Sequence, residues 1–154
     1  MSVHLYYCTG WDNAVVHHEA DEGWKDVTFG PAKKSYPLWK VAKIPIALSS
    51  LEKGSIEFVC HGADGKDWDK QPNGENYVLA DVRPGNKYTL RDGVVRKVVS
   101  EKVMVVSDID WTLVGHNDHL REFIYVWQTE YMFGDSLLIY STGRNLEDAL
   151  KVAR

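Results

Sequence analysis

Several features that would place this chain in a specialised class of protein are scarce or missing in its sequence. It has two cysteines, Cys8 and Cys60, without the close spacing of a disulfide framework or a zinc site. No apolar run approaches the roughly 18 residues that a membrane-spanning helix needs. The net charge is -4 and the basic residues form no cluster, which argues against a nucleic-acid partner. We therefore expect a soluble, intracellular globular chain with two structural thiols and no targeting peptide at its start.

Residues 3–99 are dominated by short segments of β-forming residues. Segments such as "HLYYCTGW", "AVVHHEA" and "SIEFVCHGADG" are separated by glycine, proline, asparagine and aspartate. Short strands with turn residues between them are typical of a β-sandwich or a barrel. No stretch in this part repeats its apolar residues at helical spacing. The sequence therefore predicts an antiparallel β-sandwich as a first domain over residues 1–99.

The pattern changes after residue 99. "VMVVS" and "SLLIYSTG" are continuous apolar runs of the kind found in parallel strands with both faces covered. "HLREFIYVWQTEYM" lies between them with apolar residues at helical spacing, and "RNLEDALKVAR" opens with Asn145 as a suitable helix cap. Residues 102–154 are thus predicted to form a βαβα unit, the Rossmann-like opening of an α/β domain, which makes the whole chain α+β. Sheets of this type commonly have about five strands, and two strands are too few to bury both faces. We therefore expect Val103–Val106 and Leu137–Tyr140 to expose apolar faces.

An aspartate pair follows the first of these apolar runs, in "VMVVSDIDWT". Ligands of open α/β sheets bind outside the carboxyl ends of the strands, where Asp108 and Asp110 are expected to lie. One carboxylate can attack an electrophile or bind a hard cation such as Mg²⁺ while the other transfers a proton. The same residues can instead form an ordinary solvated Asx turn. Thr142 and the amide of Gly143 follow the next strand, where such groups can hold a phosphate.

Taken in order, "VVSDIDWTLVG" and "SLLIYSTGRN" resemble the first two motifs of the haloacid-dehalogenase-like (HAD) phosphohydrolases, and most of all the sucrose-phosphate phosphatase group. This resemblance covers roughly residues 102–154. It implies that Asp108 is the nucleophile, Asp110 the general acid/base and Thr142 a hydrogen-bond donor to phosphate. It also implies Mg²⁺ held by Asp108 and the main-chain carbonyl of Asp110. The family pattern requires a later lysine and a later acidic pair, which do not occur before Arg154, so we expect this part alone to be inactive.

Tryptophans are unevenly distributed through the β-rich part. For Trp11 and Trp39 a place in the core is favoured. Trp24 and Trp68 lie in the polar, turn-like segments "HHEADEGWKD" and "HGADGKDWDKQPNGENY". An indole in such surroundings can stack on a sugar ring while its polar neighbours bind the sugar hydroxyl groups.

The stretches "YYCTGWDNAVVHHEADEGW" and "IEFVCHGADGKDWDKQPNGENY" resemble the starch-binding family-25 carbohydrate-binding modules. The resemblance covers residues 3 to about 99. It implies a shallow α-glucan site lined by His17, Trp24 and Trp68, with Asn76 as a polar contact. The adjacent His18 leaves open which histidine belongs to the site. "DKQ" replaces the asparagine run that is usual after Trp68, which leaves the glucan preference open.

Three functions follow from these patterns. The favoured one is a starch-binding module joined to the opening part of a Mg²⁺-dependent phosphatase domain. The second is a sugar-phosphate phosphatase that its module brings to starch and that needs further sequence for activity. The third is a protein-interaction module whose tryptophans are interface anchors. The resemblances imply starch and a phosphorylated sugar as partners, no nucleic acid and no membrane, and a location in the plastid or the cytosol.

Overall fold

The structure of the protein is a computed structural model in which residues 1–108, 117–143, 145 and 147 are described. The chain divides into two compact units, Met1–Val98 and Val99–Arg154. The chain is mostly β with several sheets and also contains helix, so the predicted α+β mixture is confirmed. Among the described residues, no helix is long and apolar enough to cross a membrane.

Ten of the eleven elements of the first unit are strands, and they form two sheets. In chain order its elements are β1 Ser2–Cys8, β2 Ala14–Ala20, β3 Gly23–Thr28, β4 Gly30–Lys33, β5 Tyr36–Pro45, α1 Leu48–Lys53, β6 Ser55–Gly62, β7 Trp68–Asp69, β8 Tyr77–Ala80, β9 Lys87–Arg91 and β10 Val94–Lys97. The first sheet has the order β10-β9-β1-β5-β4. The second has the order β3-β2-β6-β7, and β8 also pairs with β6.

Alternate residues of both sheets contribute to one buried cluster. On β2, Ala14, Val16 and His18 are buried, while the residues between them are partly exposed. This period of two is that of a strand with one face in a core and the other toward solvent. The largest apolar members of the cluster are Leu5, Tyr7, Phe29, Ile44, Ile56, Phe58, Tyr77, Leu79, Tyr88 and Leu90. The outer face of β2 and its neighbours is therefore available for polar side chains and a binding site.

The first unit is not purely antiparallel, which corrects one part of the sequence prediction. β1 and β9 run parallel, with Leu5 opposite Tyr88 and Tyr7 opposite Leu90. Parallel neighbours need a long crossover connection rather than a hairpin. Here the chain between β1 and β9 contains all the strands of the second sheet. The direction in which β1 and β9 pair therefore depends on how the chain connects them. It cannot be predicted from the residues of either strand alone.

The short helix α1 is a second difference, since no helical period predicts it. Its amino end is capped by Asp21, whose Oδ1 accepts a hydrogen bond from the Ser49 hydroxyl at 2.8 Å and whose Oδ2 accepts one from the Leu48 amide at 3.2 Å. Its carboxyl end is closed by Gly54 in the left-handed conformation, with φ of 73°. Six residues are too few to show a helical period, and the capping residue lies 27 positions earlier in the chain. The local sequence therefore does not predict this helix.

In the second unit, β11 (Met104–Asp108) and β12 (Leu137–Ser141) form a parallel two-stranded sheet. α2 (Asn117–Val126) lies between them in sequence and continues as a π-helical segment, Trp127–Tyr131. The predicted order of strand, helix and strand is therefore present. The predicted last helix, in "RNLEDALKVAR", lies almost entirely outside the described residues.

An apolar face of this small sheet is exposed, as predicted. The register places Met104 beside Leu137 and Val106 beside Ile139. All four side chains are exposed, from 42% for Ile139 to 65% for Met104. Parallel strands are normally covered on both faces, so the apolar residues of β11 and β12 lack the cover that their composition indicates.

Candidate functional site

Four residues that the sequence singles out surround one cavity on the outer face of the second sheet. This cavity, which we call the indole cavity, has a volume of about 520 Å³ and is lined by His17, Trp24, Val59, Trp68, Lys70 and Asn76. The four predicted residues come from β2, β3, β7 and the segment before β8, and strand pairing brings them together.

Strand register places one of the two indoles beside His17. His17 on β2 lies directly opposite Asp26 on β3, and Trp24 is two residues from Asp26 along the same face. Diagonal neighbours of this kind are within reach of aromatic side chains. The rings of His17 and Trp24 are accordingly stacked, with centroids 5.1 Å apart and planes 19° apart. Gly23, with φ of 83°, adopts in the preceding turn a conformation that strongly favours glycine.

Trp68 lies on the other side of His17. Its ring centroid is 5.8 Å from that of His17 and 4.6 Å from that of His61. Its indole N–H donates to the carbonyl oxygen of Gly65 at 3.0 Å, which orients the ring. Trp24 is 40% exposed and Trp68 is 46% exposed, whereas Trp39 is buried as the sequence predicts. The two indoles of the cavity therefore remain accessible to a ligand.

Asp26 sets the tautomer of His17. The Nδ1 atom of His17 lies 2.6 Å from Oδ1 of Asp26. A carboxylate can only accept, so Nδ1 carries the proton that is shared in this bond. In the neutral ring, Nε2 is then an acceptor, and it can receive the proton of a ligand hydroxyl group.

His17, and not His18, is the histidine of the cavity. His18 lies on the opposite face of β2 and is almost completely buried. Its Nδ1 donates to the carbonyl oxygen of Glu19 at 2.8 Å. Burial lowers the pKa of the His18 imidazole, so the folded protein favours its neutral form. Of the two adjacent histidines, His17 is the one that lines the cavity.

Three residues at this surface, Val59, His61 and Lys70, were missed by sequence reasoning. His61 packs against Trp68, and its Nδ1 donates to the carbonyl oxygen of Gly62 at 2.7 Å. Lys70 lines the cavity directly. The alternation along β6 could have placed His61 on the outer face, because Phe58 and Cys60 point into the core. No comparable pattern indicates Lys70, since β7 is too short to show alternation.

Asp69 anchors β7 to the core beneath the cavity. The Tyr7 hydroxyl donates to Asp69 Oδ2 at 2.7 Å, and the Tyr77 hydroxyl lies 2.7 Å from Oδ1 and 2.8 Å from the carbonyl oxygen of Lys70. Burial, together with the bond to Asp69, raises the pKa of both tyrosines far above the ordinary value, so both hydroxyls stay protonated as donors. β7 has only two residues and so makes few main-chain hydrogen bonds to its neighbour. The side-chain hydrogen bonds of Asp69 therefore help to hold Trp68 and Lys70 in position.

We expect the substitution Asp69→Ala to lower the free energy of unfolding by about 3 kcal/mol. It removes a carboxylate that accepts from two buried hydroxyl groups, and leaves the Tyr7 hydroxyl without that acceptor. Urea unfolding of the wild type and the variant measures the change. Asp67→Ala is the matched control, because Asp67 is exposed two positions away and should change stability by less than about 0.5 kcal/mol. Equal effects of the two substitutions would contradict the anchoring role.

Three of the four predicted residues of the second unit, Asp108, Thr142 and Gly143, lie at one edge of its sheet. Asp108 ends β11 and pairs with Ser141, which ends β12, so Thr142 and Gly143 follow at the same carboxyl edge. A Cβ atom on Gly143 would meet no atom of the described residues within 4 Å. Asp110 lies outside the described residues. Within the described ranges, no group of three or more His, Cys, Asp or Glu side chains is placed to hold a metal ion.

The second unit is similar to a known enzyme family. Residues 101–154 match the family described as sucrose-6F-phosphate phosphohydrolase. The match covers less than half of the chain and supports the phosphatase resemblance of its C-terminal part. It does not extend to residues 3–99, whose resemblance to starch-binding modules remains a prediction. No solved structure matches the chain.

Proposed function

We propose that the first unit is a β-sandwich module that binds α-glucan, such as starch, in the indole cavity. The observation that carries this proposal is the grouping of two exposed indoles, Trp24 and Trp68, on either side of His17. Small-molecule sites combine apolar faces with a few well-placed polar groups. Here the indoles are faces on which sugar rings can stack, and the polar groups can bind sugar hydroxyls.

Two acceptors in the cavity suit a polyhydroxylated ligand. Nε2 of His17 is one when the ring is uncharged, because Nδ1 then donates to Asp26. The side-chain oxygen of Asn76 is the other, because its Nδ2 donates to Glu57 Oε2 at 3.4 Å. Neutral acceptors of this kind bind hydroxyl groups without the desolvation cost of an isolated charge.

Affinity electrophoresis in gels with and without soluble starch tests the proposal. We expect the protein to migrate more slowly in the starch gel, relative to a reference protein that does not bind glucan. A gel with a β-linked glucan is the control for non-specific retardation. Unchanged migration of the folded protein would contradict starch binding. Recovery of a protein partner through Trp24 and Trp68 would then favour the interaction-module alternative.

For the second unit we propose the chemistry of a Mg²⁺-dependent sugar-phosphate phosphatase. The family match over residues 101–154 and the position of Asp108, Thr142 and Gly143 at one strand edge support it. In this proposal the Asp108 carboxylate attacks phosphorus, and the ester oxygen leaves with a proton from Asp110. Thr142 and the Gly143 amide hold the phosphate oxygens.

The oxygen ligands of this unit suit Mg²⁺, but the described residues supply one predicted carboxylate ligand, Asp108. When bound, the metal offsets negative charge on the phosphoryl group. Further positive charge and further acidic ligands are needed, so we propose that activity requires groups beyond these residues. Phosphate release from a sugar phosphate by a longer chain, abolished by Asp108→Asn, would support the proposal. Release that survives Asp108→Asn would refute the role of Asp108.

A further inference from the structure

Lys70 adds a positive charge to the indole cavity. It is exposed, follows Trp68 and Asp69 in the chain, and lines the same cavity as both indoles. Its main-chain carbonyl oxygen lies 2.8 Å from the Tyr77 hydroxyl, which helps to fix the backbone of Lys70. Within the described part of the chain, its ammonium group makes no ion pair, unlike that of Lys53, which pairs with Glu19.

Three carboxylates near this cavity, those of Asp26, Glu57 and Asp69, already have hydrogen-bond partners, and those of Asp69 are the hydroxyl groups of Tyr7 and Tyr77. Asp26 is bonded to His17, and Glu57 pairs with Lys53 at 3.4 Å and accepts from Asn76. The remaining lining residues carry indole, amide, imidazole or aliphatic groups. A neutral sugar would leave the ammonium group of Lys70 without a counter-charge. The cavity is therefore better matched to a ligand that carries a negative group near its sugar ring.

We propose that Lys70 makes the indole cavity selective for α-glucan that bears a phosphate monoester. This inference rests on the proposed binding of α-glucan. A phosphate monoester carries close to two negative charges and three acceptor oxygens, and a lysine meets it as a flexible point charge. Solvent-exposed ion pairs contribute about 0.2–1 kcal/mol, which corresponds to a preference of up to about fivefold over the neutral glucan.

Isothermal titration with two ligands tests the inference. One is a neutral malto-oligosaccharide, and the other is the same oligosaccharide with one phosphate monoester. We expect the wild type to bind the phosphorylated form about threefold more tightly at low salt, and the preference to shrink when salt is raised to about 0.5 M. Lys70→Gln should bind the two forms with equal affinity. Lys70→Arg should keep the preference.

Lys66→Gln is the matched control, because Lys66 is an exposed lysine just before β7 that does not line the cavity. It should leave the preference unchanged. Equal binding of both ligands by the wild type would overturn the inference and leave the proposed starch binding intact. A preference that survives in Lys70→Gln would overturn the role of Lys70. Binding of neither ligand would overturn both the inference and the proposed function.

Discussion

The double variant Trp24→Ala, Trp68→Ala is expected to lose its retardation by starch completely. Both indoles are exposed at one cavity, and each gives a ligand a flat apolar face beside the imidazole of His17. Truncating a central aromatic anchor commonly costs about 2 kcal/mol, so the loss of both should weaken binding roughly a thousandfold. Affinity electrophoresis in a series of starch concentrations measures the dissociation constants of the two proteins.

Leu38→Ala provides the control for this prediction. Leu38 is an exposed apolar residue on β5, in the other sheet, so its removal should not change starch binding. The single variants separate the two indoles, and urea unfolding checks that each variant folds. Retardation that persists in the folded double variant would place glucan binding outside the indole cavity. Loss of retardation in Leu38→Ala would indicate non-specific adsorption.

Amide hydrogens of β11 and β12 are expected to exchange roughly a thousandfold faster than those of β1, β2 and β6. A two-stranded sheet is marginally stable in water, and this one exposes the apolar side chains of Met104, Val106, Leu137 and Ile139. β1, β2 and β6 each have partner strands on both sides and contribute side chains to the core. Their amides should therefore open only with global unfolding.

Hydrogen exchange followed by mass spectrometry or NMR measures both sets of amides in one sample, so the first unit is an internal control. The experiment should be repeated over a range of protein concentrations, because an exposed apolar face can associate with a second copy. Protection that rises with concentration would show such association. Slow exchange in β11 and β12 in a dilute monomer would contradict the prediction.

Much of the candidate site follows from local sequence. The alternation along β2 indicates that His17 and the buried His18 lie on opposite faces, although it does not say which face carries the ligand. The polar neighbours of Trp24 and Trp68 indicate that these two indoles are exposed, while Trp39 is buried. The rule that ligands gather at the carboxyl ends of parallel strands likewise places Asp108 beside Thr142.

The remaining features depend on contacts between distant residues. Asp69 bonds to Tyr7, which lies 62 positions away, and Asp21 caps a helix 27 positions away. Lys70 reaches the cavity because β7 pairs with β6 beside β2, and nothing in "WDK" indicates that pairing.

The sequence by itself determined the strand-rich character of this protein, the change to a strand–helix–strand unit and the exposure of its paired indoles. These properties depend on periodicity and composition over a few residues, because a strand repeats every two residues and polar neighbours keep a side chain near water. Only the tertiary structure decided the parallel pairing of β1 with β9, the choice of His17 over His18 and the place of Lys70 in the cavity. These features depend on which strands become neighbours and in which register, and that is set by burial of the whole core rather than by any one segment.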